Sequence, residues 1–212
     1  MTDPADTAEL GLVIGDDGRT RCAWAASAPE YRAYHDDEWG FPVADDRRLF
    51  EKLSLEGFQA GLSWLTILRK REAFREVFAG FDFRKVAEFG PREVAALLDD
   101  ARIVRHRGKI EAVINNAQRA LELVESEGSL ARFIWAFEPA RRGRPAPAPG
   151  ALPGTTTDSV ALARELKLRG WRFTGPTTVY AFMQAMGLVN DHLAGCHVRA
   201  AADAARAAFQ RP

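Results

Sequence analysis

The sequence predicts an all-α fold, built from about eight to ten short helices that pack together. Three observations support this prediction. Apolar residues recur along most of the chain at the spacing of one helix face, and no convincing run alternates between apolar and polar residues as a half-buried strand does. Apolar residues also make up 47% of the 212 residues, which is enough for a sizeable buried core.

The N-terminal part of the chain yields a leader and then the first helices. Residues 1–20 are acidic and have few large apolar side chains, so we expect a mobile leader there. The first helix is predicted to begin at Asp45 or Asp46, either of which can cap its free amides. Pro91 can open a later helix at its first turn. The apolar faces of the three helices predicted in this region are Leu49, Phe50 and Leu53; Phe74, Val77 and Phe78; and Val94, Leu97 and Leu98.

The clearest helix runs from about His106 to Val124, because its apolar residues all fall on one face. The segment from Pro139 to Gly154 is rich in proline and glycine and is predicted to be a long loop. Two further helices follow. One is capped by Asp158 and ends near Gly170, and the other runs from Pro176 to Gly187.

Charge and hydropathy restrict the possible partners. Lys and Arg together number 29, as do Asp and Glu, so contact with nucleic acid must come from a local basic patch. No stretch approaches the roughly 20 apolar residues of a membrane-spanning helix, and the N-terminus does not resemble a secretory signal. We therefore expect a cytoplasmic protein with no membrane partner.

Two cysteines and two histidines form a candidate metal site. Cys22 and His35 lie near one end of the chain, and His192 and Cys196 form an i, i+4 pair near the other. Two thiolates and two imidazoles complete a tetrahedral zinc shell, which leaves no position for a reactive water and so has a structural role. On spacing alone, buried cysteines without metal are the more common arrangement, and His197 is an alternative ligand.

A basic turn at residues 103–109, IVRHRGK, joins two predicted helices and resembles a helix-hairpin-helix DNA-binding element. Arg105, Arg107 and Lys109 can approach phosphates there, and Gly108 allows close approach of the backbone. Only one of the two glycines of the general motif is present. A solvated charged turn is the alternative.

Aromatic residues accompany a carboxylate in two segments. LEGFQAGLSW, residues 55–64, places Glu56 ahead of Trp64 with two glycines between them, and YRAYHDDEWG places Tyr31, Tyr34 and Trp39 around His35. Pattern alone favours core positions for the aromatic residues and an exposed position for the acid.

Taken together, five segments closely resemble the 3-methyladenine DNA glycosylase I family. The resemblance extends from Arg21 to Cys196 and divides the chain into the leader, a glycosylase domain at 21–197 of one or two lobes with its hairpin near 99–109, and a tail at 198–212. The segments are CAW at 22–24, YHDDEWG at 34–40, LEGFQAGLSW at 55–64, IVRHRGKI at 103–110 and GPTTVYAFMQAMGLVNDHLAGC at 175–196.

The resemblance implies a helix-hairpin-helix DNA glycosylase fold and an enzyme that hydrolytically releases N3-methyladenine from double-stranded DNA, initiating base excision repair. We expect it to act as a monomer. It also implies roles for individual residues. Structural Zn²⁺ is held by Cys22, His35, His192 and Cys196; Glu56 accepts hydrogen bonds from the flipped base; Trp64 stacks on it; Tyr31, Tyr34 and Trp24 or Trp39 line the pocket; Gly61 and Leu62 probe the gap in the duplex; and Arg105, Arg107, Gly108 and Lys109 contact DNA.

Two residues depart from the family pattern. Arg102 stands where glycine is expected, so it must tolerate a left-handed backbone or shift the turn. Phe58 stands where a polar residue is expected, which predicts a more apolar pocket rim. Two other functions remain as alternatives: a non-catalytic module that binds damaged DNA, and a zinc hydrolase or deaminase, which requires a metal with an open coordination position.

Overall fold

Helices dominate the part of the chain that the structure, a computed structural model, describes: residues 10–140, 146–147 and 152–212. The first nine residues of the predicted leader and most of the predicted loop at 139–154 lie outside these ranges. The elements are β1 (Leu12–Ile14), β2 (Thr20–Cys22), α1 (Pro29–Asp37), α2 (Asp46–Gln59), α3 (Trp64–Val77), α4 (Phe83–Val86), α5 (Pro91–Asp99), α6 (Arg107–Glu127), α7 (Leu130–Trp135), α8 (Thr157–Leu168), α9 (Pro176–Ala185) and α10 (Arg199–Ala208), with 3-10 turns at Ala23–Ala26 and Ala79–Phe81.

The predicted helices are present, and their ends follow the capping chemistry. Asp45 accepts the amide hydrogen of Arg48 at the start of α2, and Pro91 opens α5, as predicted. At α8 the predicted cap is wrong, because the hydroxyl of Thr156 caps the helix and Asp158 lies within the first turn. A threonine followed three residues later by Ser159 forms a reciprocal cap that an aspartate two residues on cannot replace.

The prediction of a mobile leader through residue 20 is wrong for its described part, which forms an antiparallel hairpin. β1 pairs with β2 so that Leu12 lies opposite Cys22, and Leu12 is buried. The guanidinium of Arg21 donates two hydrogen bonds to the carboxylate of Asp17 within the hairpin, and these stabilise the turn. Strands of three residues are too short to show an alternating pattern in the sequence, which explains why they were missed.

The chain divides into two compact units. The first contains the described residues of Met1–Val43, Glu138–Gly154 and Met183–Gln210. Its C-terminal helix α10 lies in the predicted tail and is packed, because Ala202 is fully buried and Arg206 donates hydrogen bonds to the carbonyl oxygens of Gly187 and Leu188. The tail is therefore a structural part of this unit.

The second unit contains Ala44–Phe137 and Thr155–Phe182, together with the last two residues. A group of phenylalanines forms much of its core, and the ring of Phe58 packs against that of Phe74 at a centroid distance of 4.5 Å and an angle of 45°. Phe58 is fully buried, so the prediction that it lies on a pocket rim is wrong. Within the described part of the chain, no helix has both the length and the apolar composition needed to cross a bilayer.

Candidate functional site

The first unit brings together the four predicted metal ligands from opposite ends of the chain. Cys22 ends β2 and His35 lies on α1, whereas His192 and Cys196 follow α9. All four residues are buried, and their donor atoms lie within 4.8 Å of one another. No other such group is found among the residues that the structure describes.

The hydrogen bonds of the two histidines direct one acceptor nitrogen of each ring into this Cys₂His₂ cluster. Nδ1 of His35 lies 2.7 Å from the carboxylate of Asp36, and Nε2 of His192 lies 3.0 Å from the carbonyl oxygen of Trp39. Both partners are acceptors only, so these two nitrogens carry the protons. Nε2 of His35 and Nδ1 of His192 then face each other as two acceptors at 3.2 Å, an arrangement that a shared cation stabilises.

The distances among His35, His192 and Cys196 fit zinc. For tetrahedral zinc with ordinary bond lengths, two nitrogens lie about 3.3 Å apart and a nitrogen and a sulfur about 3.6 Å apart. The observed nitrogen pair is at 3.2 Å, and Sγ of Cys196 lies 3.6 Å from both nitrogens. The hydrogen bond from Cys22 lowers the pKa of the Cys196 thiol. The residues therefore fit a structural zinc ion.

Neighbouring residues hold the ligands in place. Although burial opposes it, hydrogen bonds from Arg21 and His35 lower the pKa of Asp36 to about 2, so its carboxylate remains ionised against the His35 ring. Gly40 has a φ of +86°, and a Cβ there would lie 3.0 Å from Nε2 of His192, so glycine is required for this close approach. His197, the alternative ligand, instead contacts Asp36.

Four of the five aromatic residues predicted to bind the base lie in the first unit, where Trp24 and Trp39 contact histidines of the cluster. Trp24 contacts Tyr31, His35 and Trp39 edge-on at centroid distances of 5.1 to 5.5 Å, and Tyr34 lies 6.3 Å away. Tyr34 and Trp39 are buried, whereas Trp24 and Tyr31 are partly exposed. All four belong to the first unit, and their role in base binding stays a prediction.

The second unit brings Glu56 and Trp64 together around a third residue that the sequence analysis missed. Glu56 lies on α2, and Trp64 begins α3 because Ser63 caps that helix through the amide of Thr66. The ammonium of Lys52, one turn before Glu56, lies 2.8 Å from Oε1 of Glu56 and 3.3 Å from the centroid of the Trp64 ring. The carboxylate and the ring thus bind one cation in common.

The side chains of Lys52 and Glu56 are only 7% and 5% exposed. Glu56 is therefore buried, contrary to the exposed position that pattern alone favoured. The i, i+4 spacing of Lys52 and Glu56 was a signal that could have revealed the pair.

The connection between α2 and α3 is exposed and apolar at its tip. Gly61 has a φ of +77° and open space around its Cα, and the side chain of Leu62 is 42% exposed. The insertion of this turn into a duplex stays a prediction.

The predicted basic hairpin joins α5 to α6, with His106 capping α6 through the amide of Lys109. Arg105 and Arg107 are exposed. Lys109 is buried, and its ammonium donates to the carbonyl oxygens of Phe58 and Ala60 at the end of α2. Burial lowers the pKa of Lys109. The side chain of Lys109 does not extend toward a phosphate as predicted, because it completes the hydrogen bonds of a helix end.

Comparison with known proteins identifies the family. The model of the methyladenine glycosylase family matches residues 24–200. The chain belongs to the methyladenine glycosylase family. It is 47% identical over 179 residues to DNA-3-methyladenine glycosylase 1 of Escherichia coli strain K12, and this match covers 83% of the present chain and 95% of that protein.

Two solved structures of relatives agree with the fold. A crystal structure of a 3-methyladenine DNA glycosylase I is 48% identical, with a TM-score of 0.78, and the match covers 84% of this chain and 98% of the other. A structure that addresses 3-methyladenine recognition by the Staphylococcus aureus enzyme is 37% identical, with a TM-score of 0.78, and covers 84% and 96%. The resemblance drawn from five sequence segments is thereby confirmed.

Arg102 stands in the hairpin where the pattern of the methyladenine glycosylase family predicts glycine. Its backbone is not left-handed. Its amide bonds to the carboxylate of Asp100, and its guanidinium pairs with Asp100 and Glu76. Lys70 donates to the carbonyl oxygens of Ala101 and Arg102. Side-chain contacts thus hold the turn at Arg102.

Proposed function

We propose that the protein hydrolyses the N-glycosidic bond of N3-methyladenine in double-stranded DNA, leaving an abasic site that starts base excision repair. The observation that carries this proposal is the arrangement of Glu56 and Trp64 around one cation, the Lys52 ammonium. A carboxylate and an aromatic face that share a cation also match N3-methyladenine, whose ring carries a positive charge. The names of the relatives support the same substrate.

The reaction needs little acid catalysis, because methylation has already activated the leaving group. When the bond between the base and the sugar breaks, its electron pair passes to the base and cancels the positive charge. The base leaves as neutral 3-methyladenine, and water adds to the sugar carbon with loss of a proton. The lesion also pairs poorly, which reduces the few kcal/mol normally needed to flip a nucleotide out of the stack.

Charge and hydrogen bonding select the base. A cationic ring over Trp64 gains about 0.5–2 kcal/mol from the ring quadrupole, and a neutral adenine gains less. The carboxylate of Glu56 accepts hydrogen bonds but donates none, so it favours the exocyclic amine of adenine and rejects guanine, which has a carbonyl at that edge.

Contacts to the duplex are assigned to the two exposed turns of the second unit. Leu62, next to Gly61, is proposed to fill the space that the flipped base leaves. Arg105, Arg107 and the backbone near Gly108 are proposed to bind phosphates, because the side chains of both arginines are exposed at the start of α6. In this proposal the turn between α5 and α6 acts as the hairpin of a helix-hairpin-helix DNA-binding element.

The Cys₂His₂ cluster is proposed to hold structural Zn²⁺ that joins the N- and C-terminal segments. Four protein donors leave no coordination position for water, which argues against a zinc hydrolase or deaminase. We expect metal analysis of the purified protein to give one zinc per chain, and X-ray absorption to give two sulfur and two nitrogen neighbours. An oxygen neighbour would revive the hydrolase alternative.

A strand-cleavage assay tests the activity and separates it from mere binding. An end-labelled duplex treated with a methylating agent is incubated with the protein and then split into samples with and without an endonuclease that cleaves at abasic sites. A monofunctional glycosylase gives protein-dependent strand breaks at adenines only in the endonuclease-treated sample. A non-catalytic module retards the duplex in a gel but adds no endonuclease-sensitive sites at adenines. We expect the enzyme to be a cytoplasmic monomer.

A further inference from the structure

Lys52 occupies the position that the proposed function assigns to the base. Its ammonium satisfies Glu56 at 2.8 Å and lies over the Trp64 ring at 3.3 Å, so it makes both contacts that a bound cationic base would make. A base ring that stacks on this face of Trp64 and bonds to Glu56 cannot share the space with the ammonium. Lys52 must therefore move before a base enters.

The ion pair is strong enough to matter for binding. Both side chains are more than nine-tenths buried. A carboxylate in such surroundings is costly without a partner, so Glu56 holds the nearest available cation. The lysine has a flexible four-carbon stem, which lets the ammonium withdraw without a change in the backbone of α2.

We propose that Lys52 is an internal competitor for the base site: its ammonium leaves Glu56 when a base enters and returns when the product departs. This inference rests on the proposed function, because it takes Glu56 and Trp64 as the base-binding pair. The cationic lesion brings its own positive charge to Glu56 in exchange for that of Lys52. Once the glycosidic bond breaks, the base is neutral and Glu56 regains a stronger partner by taking Lys52 back.

The expected size of the effect follows from the fraction of molecules in which Lys52 has withdrawn. If the site is open in about one molecule in ten, every base binds about ten-fold more weakly than it would to a site without the lysine. A pure competitor weakens all bases by the same factor. A lysine that stayed beside the bound base would instead repel a cationic base and donate a hydrogen bond to a neutral one.

This difference defines the experiment, which compares wild type with Lys52→Met. The probes are free 3-methyladenine, which is neutral above neutral pH, and 3,9-dimethyladeninium, a fixed cation in which a methyl group replaces the sugar. Their dissociation constants are measured by calorimetry at pH 8. We expect both probes to bind Lys52→Met about ten-fold more tightly than wild type.

Two further variants serve as controls. Lys52→Arg keeps a cation at this position, and its guanidinium can pair with Glu56 and stack on Trp64, so it is expected to bind neither probe more tightly than wild type. Lys85→Met removes an exposed lysine from α4 and is expected to leave both constants unchanged. Melting temperatures establish that the variants are folded. If Lys52→Met does not fold, Lys52→Gln replaces it with the same expectation.

Other outcomes overturn the inference. Unchanged constants in Lys52→Met would mean that Lys52 does not occupy the base position, and weaker binding of the neutral probe would make it a direct contact to the base. Release of free base from methylated DNA by the wild-type protein is measured in parallel. Absence of release would contradict the proposed function, whereas release without tighter binding in Lys52→Met would contradict the role of Lys52 alone.

Discussion

At the scale of single residues, Glu56 is the group on which recognition depends. Its carboxylate is buried on α2 and held by one ammonium within hydrogen-bonding distance. A glutamine at this position keeps the shape but loses the charge that favours a cationic base. The two forms can therefore be compared without a large change in packing.

We predict that Glu56→Gln lowers the rate of base excision on the order of 100-fold, the scale for loss of one preorganised electrostatic contact. Binding to abasic DNA should remain almost intact, because Glu56 contacts only the base. Single-turnover excision and gel retardation with an abasic duplex measure the two quantities. The control Glu72→Gln alters an exposed carboxylate on α3 and should leave both unchanged. Equal losses in both assays would count against the assignment.

Some residues of the candidate sites could be predicted from the sequence, and others could not. The candidates Cys22, His35, His192 and Cys196 could be named in advance because each carries a metal-binding donor, and the structure brings them together. Lys52 was missed and Lys109 was assigned to a phosphate, because a lysine is ordinarily expected to be solvated. Burial of an ammonium depends on carboxylates and carbonyls that other turns and helices supply, and these positions are not visible in a linear pattern.

At the scale of elements, the end of α2 depends on the hairpin that follows α5. Lys109, in the first turn of α6, donates to the carbonyl oxygens of Phe58 and Ala60 just before the turn that carries Gly61 and Leu62. This contact links the turn of Leu62 to the proposed phosphate-binding turn within one unit.

We predict that Lys109→Met lowers the free energy of unfolding by about 1–3 kcal/mol, because it leaves two carbonyl oxygens without their donor. Urea denaturation measures the change. The matched control is Arg107→Met, two residues earlier and exposed, for which we expect a change within about 0.5 kcal/mol. Equal stability of the two variants would show that the buried ammonium contributes nothing to the fold.

The helices themselves were largely predictable, since caps and apolar periodicity are local signals. The long helix α6 spans Arg107–Glu127, close to the predicted range from His106 to Val124. The hairpin of β1 and β2 was not predictable, because its strands have three residues each and its turn is held by Arg21, whose partner Asp36 lies on α1. Contacts of this kind depend on the tertiary structure.

At the scale of the whole molecule, the Cys₂His₂ cluster brings together residues that are distant in sequence, so loss of the proposed zinc should lower stability. We predict that Cys196→Ala lowers the melting temperature by about 10 °C, the shift expected when several kcal/mol are lost from a chain of this size. Bound zinc should fall with it, and both are measured by thermal scanning and metal analysis. His197→Ala removes the neighbouring histidine outside the cluster and should retain the metal. A Cys196→Ala protein with unchanged stability and activity would contradict the metal assignment.

The proposed function requires the protein to remove a cationic adenine from DNA and to leave normal bases in place. Mass spectrometry of the bases released from methylated genomic DNA tests it most directly. We predict that 3-methyladenine appears in the soluble fraction with time and in proportion to enzyme, while adenine and 7-methylguanine remain at the level of the enzyme-free sample. Release of adenine at a comparable rate, or of no base at all, would contradict the proposed function.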